Sequence, residues 1–309
     1  MECTDQDDMF EVDKTRKHFV PKLYLRGFCL DNPPKRIYVL DKGKPQDEVA
    51  VRSINNVEVS RDAYSVANDA ILQEREDAWS ETLKILKGRD ASELNELVSD
   101  RDKSAELRYW LARLVVDSKL RSRGFRSQMR ESANEIRLRS RSRIEALEAD
   151  FRSRFPDLGE QIQIMVSLFK DVAGIDNDRE FEALRICPFL RGEEGEKLYR
   201  LYEEGSWRFD AACDRRKFIT SDIPSNSLLL GPEPEYRNWM WFVMPLSAEL
   251  RLVGLCGDAR MESGLAPRMG DMGNREMDIA NVCVFQSAQR FVYASSKDEL
   301  LRASEQSTL

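Results

Sequence analysis

Between about residue 67 and residue 172, apolar side chains recur every three to four positions, the period of helices with one buried face. Leu72, Trp79, Leu83 and Leu86 keep that spacing until Gly88 interrupts it. Leu107, Trp110, Leu111, Leu114 and Val115 then form a second apolar face. Phe155-Pro156-Asp157 breaks a long charged stretch, after which Ile162, Met165, Val166 and Phe169 mark a further helix, and Glu193 to about Asp210 reads as helical too. The two ends of the chain have a different texture. Short runs rich in β-branched and aromatic residues predict strands at 36–40, 49–51, 217–221, 239–246, 250–255 and 291–294. A first helix is expected at Pro21, with Tyr24 and Phe28 four apart on one face, and a last one at about 276–288 after the Gly270–Gly273 loop.

Strands at both ends with helices between them predict one α+β domain, predominantly helical. Its small mixed or antiparallel sheet is expected to be built from N- and C-terminal strands around a helical insert. The domain is drawn at 16–295, with a charged insert at about 89–172. It is flanked by an acidic flexible tail at 1–15, where the first 13 residues hold six acids and no base, and a second flexible tail at 296–309.

Composition narrows the chemistry. Of 309 residues 41% are hydrophobic, enough for a sizeable core, and 48 basic against 55 acidic side chains give a formal net charge of −7. That balance excludes a surface that is basic throughout. No apolar run approaches the roughly 18–20 residues a bilayer requires, so no membrane contact is expected. Six dispersed cysteines make neither a disulfide framework nor a thiolate zinc site, which makes a reducing cytoplasm the default setting. His18 is the single histidine. A multi-histidine zinc or iron site is therefore excluded, while an all-oxygen Mg²⁺ site is not. Glycine-rich nucleotide loops and the Gly-x-Ser-x-Gly elbow have no counterpart in the chain.

Three features stand out, each with a plain structural alternative. His18 lies just before Pro21, where a helix N-terminus with Lys22 and Arg26 would favour a neutral imidazole and suit an anion; the alternative is a histidine that pins the chain. Asp222, in Phe218-Ile-Thr-Ser-Asp-Ile-Pro, ends a strand where a rigidly held acid is useful, or simply caps a turn before Pro224. The segment Arg121–Arg143 carries eight arginines against Glu131 and Glu135. Such forks suit phosphates, so nucleic acid or an anionic small molecule is a candidate partner there, though aromatic platforms for bases are scarce and a solvated charged helix explains the same pattern.

These residues carry a resemblance. His18-Phe-Val-Pro-x-x-Tyr-Leu-x-x-Phe, Ile37-Tyr-Val-x-Asp-Lys, Asp62-Ala-Tyr-Ser, Phe218-Ile-Thr-Ser-Asp-x-Pro, Met244-Pro-Leu-Ser and Asn281 in the last helix occur in that order. The chain resembles, over about residues 16–295, the largely bacterial and fungal family catalogued as domain of unknown function forty-two thirty-eight. The resemblance points to His18, Pro21, Tyr24, Tyr64, Asp222, Pro224 and Asn281, and to an acid on the following helix, Glu76 or Glu74. It also points to Arg121 and Arg126 in an Arg-Thr-Pro-x-x-Arg pattern whose proline is Arg123 here. The family supplies no activity. The combined expectation is a pocket in which His18 is general base, Asp222 and Glu76 are acids that could hold Mg²⁺, and Arg121, Arg126, Tyr24, Tyr64 and Asn281 contact substrate. The reaction expected of such a set is metal-assisted hydrolysis of a phosphodiester or other anionic bond, nuclease-like and suited to phage defence. The alternative is a protein that binds a ligand or partner without chemistry.

Overall fold

The computed structural model describes residues 17–30, 35–45, 48–57, 59–60, 66–122, 139, 142–150, 152–154, 192–213, 215–229, 240–256 and 272–308. The expected helices at 155–172, and most of the Arg121–Arg143 segment, lie outside the described residues.

Strand β1 (Lys17–His18) pairs antiparallel with β4 (Val59–Ser60). A larger antiparallel sheet has the order β3-β2-β10-β6, with β2 at Arg36–Asp41, β3 at Val49–Ser53, β6 at Thr220–Ser221 and β10 at Phe291–Ala294. The last strand in the chain thus lies between two earlier ones, as expected for a sheet built from both ends. Alternation sends its side chains to two faces. Ile37, Val39 and Tyr293 enter the main core, while Leu40, Val292 and Ala294 pack with Val284, Phe285 and Leu300 in a second cluster.

The other C-terminal strands form a separate antiparallel sheet, β5-β9-β8-β7, from Ser206–Ala211 (β5), Asn226–Leu229 (β7), Met240–Pro245 (β8) and Leu250–Cys256 (β9). At its centre Gly254 faces Phe242 so closely that an added Cβ would fall 2.0 Å from the ring, so only glycine fits there. Edge strand β5 is covered by Asn95, which accepts from Phe209 N at 2.7 Å and donates to Phe209 O at 2.9 Å.

Helices whose bounds lie within the described residues are α1 (Lys22–Leu25), α2 (Val66–Leu86), α3 (Ala91–Ser99), α4 (Ala105–Arg121), α5 (Glu193–Glu203), α6 (Asn274–Ser287) and α7 (Lys297–Ser307), and residues 142–150 and 152–154 are helical as well. Gly88, at φ +91°, ends the run that began with α2, and Asp90 caps α3 by accepting from Glu93 N at 2.7 Å.

Four expectations change. The helix placed at 193–210 stops at Glu203; beyond Gly205, alternating Trp207 and Phe209 point to the core and the chain pairs with β9 as a strand. The helix at Pro21 is a single turn, with Pro21 at the N-cap, too short for the dipole expected to favour an anion. Helices α3 and α4, drawn as the start of an insert, belong to the main core, and every residue from Leu111 to Ser118 is buried. The tail drawn at 296–309 holds α7, capped by Ser296 and docked through Leu300 and Ala303.

The two ends are also joined by charge. Arg290 grips Asp41 with two bonds of 3.1 and 3.0 Å, and Lys42 donates to Phe285 O and Ala288 O at 3.0 and 2.6 Å, closing the C-terminus of α6. The Arg290 hydrogen bonds hold the Asp41 carboxyl below its usual range. A depressed acid stabilises the fold above its unfolded-state pKa, and that share disappears as pH falls through the folded-state value. Denaturant unfolding between pH 7 and pH 3 is therefore expected to show an acid limb that Asp41→Asn flattens. An equal acid slope in both proteins refutes the assignment.

Candidate functional site

His18 is placed by the β1–β4 pairing, and its Nδ1 donates to Val57 O at 2.9 Å. A carbonyl only accepts, so this bond assigns the hydrogen to Nδ1 and makes Nε2 the basic nitrogen of the neutral ring. The backbone of His18 is in turn held by Arg121, at the end of α4 and 5% exposed. Its guanidinium donates to His18 O at 2.8 Å and to Glu76 Oε1, on α2, at 2.6 Å. Arg121 thus ties the backbone carbonyl of His18 to the Glu76 carboxylate, which brings three distant segments together. The half-buried positions of His18 and Glu76 keep the group within reach of solvent.

A second layer adjoins it. On α4, Asp117 and Arg113 stand four and eight residues before Arg121, along the same face. Asp117, fully buried, accepts from Arg75 Nη1 at 2.7 Å and from Tyr199 Oη at 2.6 Å. Arg113 pairs with Glu196 at 2.7 Å and lies over the Tyr199 and Tyr109 rings. Burial pushes the Asp117 carboxyl up against the opposing pull of Arg75, and burial raises Tyr199 as well. Sequence reasoning missed Arg75, Arg113, Asp117 and Tyr199. The available signal was an acid directly after the apolar run Leu114-Val115-Val116, which a buried helix tolerates only with partners.

Tyr24, Asp222 and Asn281 are engaged differently. Tyr24 Oη donates to Pro245 O at 2.6 Å and shares a 2.7 Å bond with Thr220 Oγ1, tying α1 to β6 and β8. Asp222 is 1% exposed and accepts three backbone N–H bonds, from Gln289, Arg290 and Phe291, at 3.0, 2.8 and 3.1 Å. Burial pushes its carboxyl up while these donors and Lys42 pull it down. Asn281 accepts from Ile219 N and donates to Lys217 O and to Glu299. Tyr24 thus joins the two ends of the chain, whereas Asp222 and Asn281 tie together segments within its C-terminal third.

The expected site thus divides. His18, Glu76 and Arg121 stand together, whereas Asp222 is held at the start of β10, and among the described residues no hydrogen bond joins it to His18. Glu74 is exposed on α2. Tyr64 and Arg126 lie outside the described residues. Among the described residues no three histidine, cysteine or acidic side chains are grouped to hold a metal ion, and no helix is long and apolar enough to cross a membrane.

Fold and cluster together define an α+β protein whose two ends are sewn into one sheet beside a histidine–carboxylate–arginine group. The chain belongs to the family described as protein of unknown function (DUF4238), whose model matches residues 16–298. No curated protein and no solved structure matches it.

Proposed function

We propose that the protein is a hydrolase of anionic, phosphate-containing substrates in which His18 is the general base. The observation that carries the reading is the Nδ1–H bond to Val57 O, which holds the ring in the tautomer whose Nε2 can take a proton. In the reaction, water transfers a proton to Nε2 as its oxygen bonds to phosphorus. The bond from phosphorus to the leaving oxygen breaks, that oxygen takes a proton from solvent, and Nε2 afterwards returns its own proton to solvent. Arg121 acts by position, since its two terminal nitrogens hold Glu76 and the His18 carbonyl. Glu76 is the carboxylate near solvent that could orient water or, in the metal-assisted form of the reaction, a Mg²⁺ ion. Asp222 takes no part in this scheme, because three backbone donors already occupy its oxygens. Nucleic acids are candidate substrates, with the Arg121–Arg143 segment as their contact.

The test is hydrolysis of phosphodiester, nucleotide and nucleic-acid substrates, with Mg²⁺ and with chelator. His18→Ala and Glu76→Gln are expected to reduce the rate by roughly 10²-fold or more, the usual weight of a positioned base. Glu76→Gln also lowers Tm, because it removes the counter-charge of buried Arg121, so its rate is taken per folded molecule. Full activity in His18→Ala refutes the scheme. The second reading is a protein that binds its ligand without turnover. It is favoured by the commitment of Tyr24, Asp222 and Asn281 to the fold, and it predicts no hydrolysis by the wild type under any of these conditions.

A further inference from the structure

A cleft of about 1240 Å³ opens where α1, the turn between α2 and α3, and the turn between β8 and β9 meet. Neither His18 nor Asp222 lines it. Ser80, one helical turn beyond Glu76, is where α2 first reaches it. Gly27 lets the walls approach, since a Cβ there would sit 2.8 Å from Leu246 O, and Gly27 O accepts from Ala248 N at 2.9 Å.

The lining is electrically one-sided. Among the described residues seven basic side chains face two acids, in a chain whose net charge is −7. Both acids are engaged: Asp90 caps α3, and Glu249 is held by Lys217 at 2.9 Å and Ser247 at 3.2 Å. Lys84 pairs with Glu81. Arg26, Lys35, Lys87, Arg89 and Arg215 are exposed, and among the described residues no carboxylate pairs with any of them. The fields of Lys35 and Arg26 converge on Cys29, whose thiol burial pushes up and these two cations pull down. Five like charges from three separate segments repel one another, and the fold gains nothing from assembling them. Such an arrangement is consistent with a purpose only when a polyanion occupies the space between them.

Beneath the basic rim the floor is apolar, formed by Leu23, Leu83, Leu246 and Leu250. Among the described residues the one aromatic ring in the lining, Tyr24, is buried and its hydroxyl is used, so these residues offer no platform for successive bases of a strand. The volume is just above the roughly 300–1,000 Å³ typical of small-molecule pockets. We infer that this cleft is a binding site for a multiply phosphorylated small molecule with one apolar or aromatic portion, in the nucleoside di- or triphosphate class. Its phosphates meet Arg26, Lys35, Lys87, Arg89 and Arg215, and its uncharged portion covers the leucines. The inference is independent of the reaction proposed for His18.

The experiment is calorimetric titration of the full chain, at low and at physiological salt, with three probes: a purine nucleoside triphosphate, inorganic tripolyphosphate and a single-stranded thymidine oligonucleotide. The triphosphate is expected to bind most tightly. The triple variant Arg26→Ala, Arg89→Ala, Arg215→Ala is expected to weaken it by roughly 100-fold or more through loss of charge-assisted bonds. Arg200→Ala, an exposed arginine outside the cleft, leaves binding unchanged. Without ligand the triple variant is expected to keep or raise Tm, because like charges are removed. Equal affinity for tripolyphosphate overturns the apolar contact, tighter oligonucleotide binding overturns the ligand class, and binding unaffected by the triple variant, or absent in the wild type, overturns the site.

Discussion

Glu299→Ala is expected to cost about 3–5 kcal/mol, because it leaves a buried guanidinium without its main counter-charge. Arg216, 7% exposed, meets Glu299 through two bonds of 2.6 and 3.0 Å and reaches Asp278 at 2.6 Å. The hydrogen bonds that Arg216 donates to Glu299 are the leading reason that its guanidinium is held firmly charged. Glu299 also accepts from Asn281, the residue that holds the chain ahead of β6. One carboxylate therefore joins α7, α6 and the strand region at 216–219. Against a typical total stability of about 5–15 kcal/mol, its removal unfolds a large share of molecules or releases α7. Urea denaturation measures the loss as a lower midpoint. Glu299→Gln, which keeps one acceptor, is expected to fall between wild type and alanine. A midpoint shift below about 1 kcal/mol, the ordinary value of an exposed pair, refutes the assignment.

The second large effect is expected at Asp222. In Asp222→Ala the amides of Gln289, Arg290 and Phe291 lose their buried acceptor together, and each bond to a charged group contributes about 1.5–3 kcal/mol, part of which water restores at the exposed Gln289 and Arg290. Hydrogen exchange gives the specific readout: these three amides and the β10 ladder lose protection first. Asp222→Asn retains an acceptor and is expected to keep part of the stability. The same variant separates structure from chemistry. If Asp222 were catalytic, Asp222→Asn would abolish turnover at unchanged stability; the contacts described here predict lower stability with turnover retained in the folded fraction.

How far the sequence can be read depends on how local each signal is. Strand β10 was legible to the residue, and α2 up to Gly88 nearly so, since alternation and the 3.6-residue period are written within a few positions. The segment at 206–211 was not, because its polar and aromatic mixture fits a helix end as well as a strand, and its pairing with β9 decides the matter from more than forty residues away. Of the candidate residues, three were found linked: Arg121 bonds Glu76 and the His18 carbonyl. Their division into a cluster and a group of ties was not legible. An aspartate that ends a strand looks the same in sequence whether it faces a substrate or the three amides of residues 289–291. Asp117 and Arg75 could be placed only once α2 and α4 were side by side.

The position of β10 has a consequence for synthesis. Residues 291–294 are the centre of the first sheet, with β2 on one side and β6 on the other. While the chain is being made, β2 can pair only with β3, and β6 has no neighbour in that sheet until those last residues leave the ribosome. The second sheet, complete by Cys256, and α2 to α5 can assemble earlier. A nascent chain stalled before Phe291 would therefore present two open strand edges to the quality-control machinery, and residues 291–294 act as the clasp that closes this sheet.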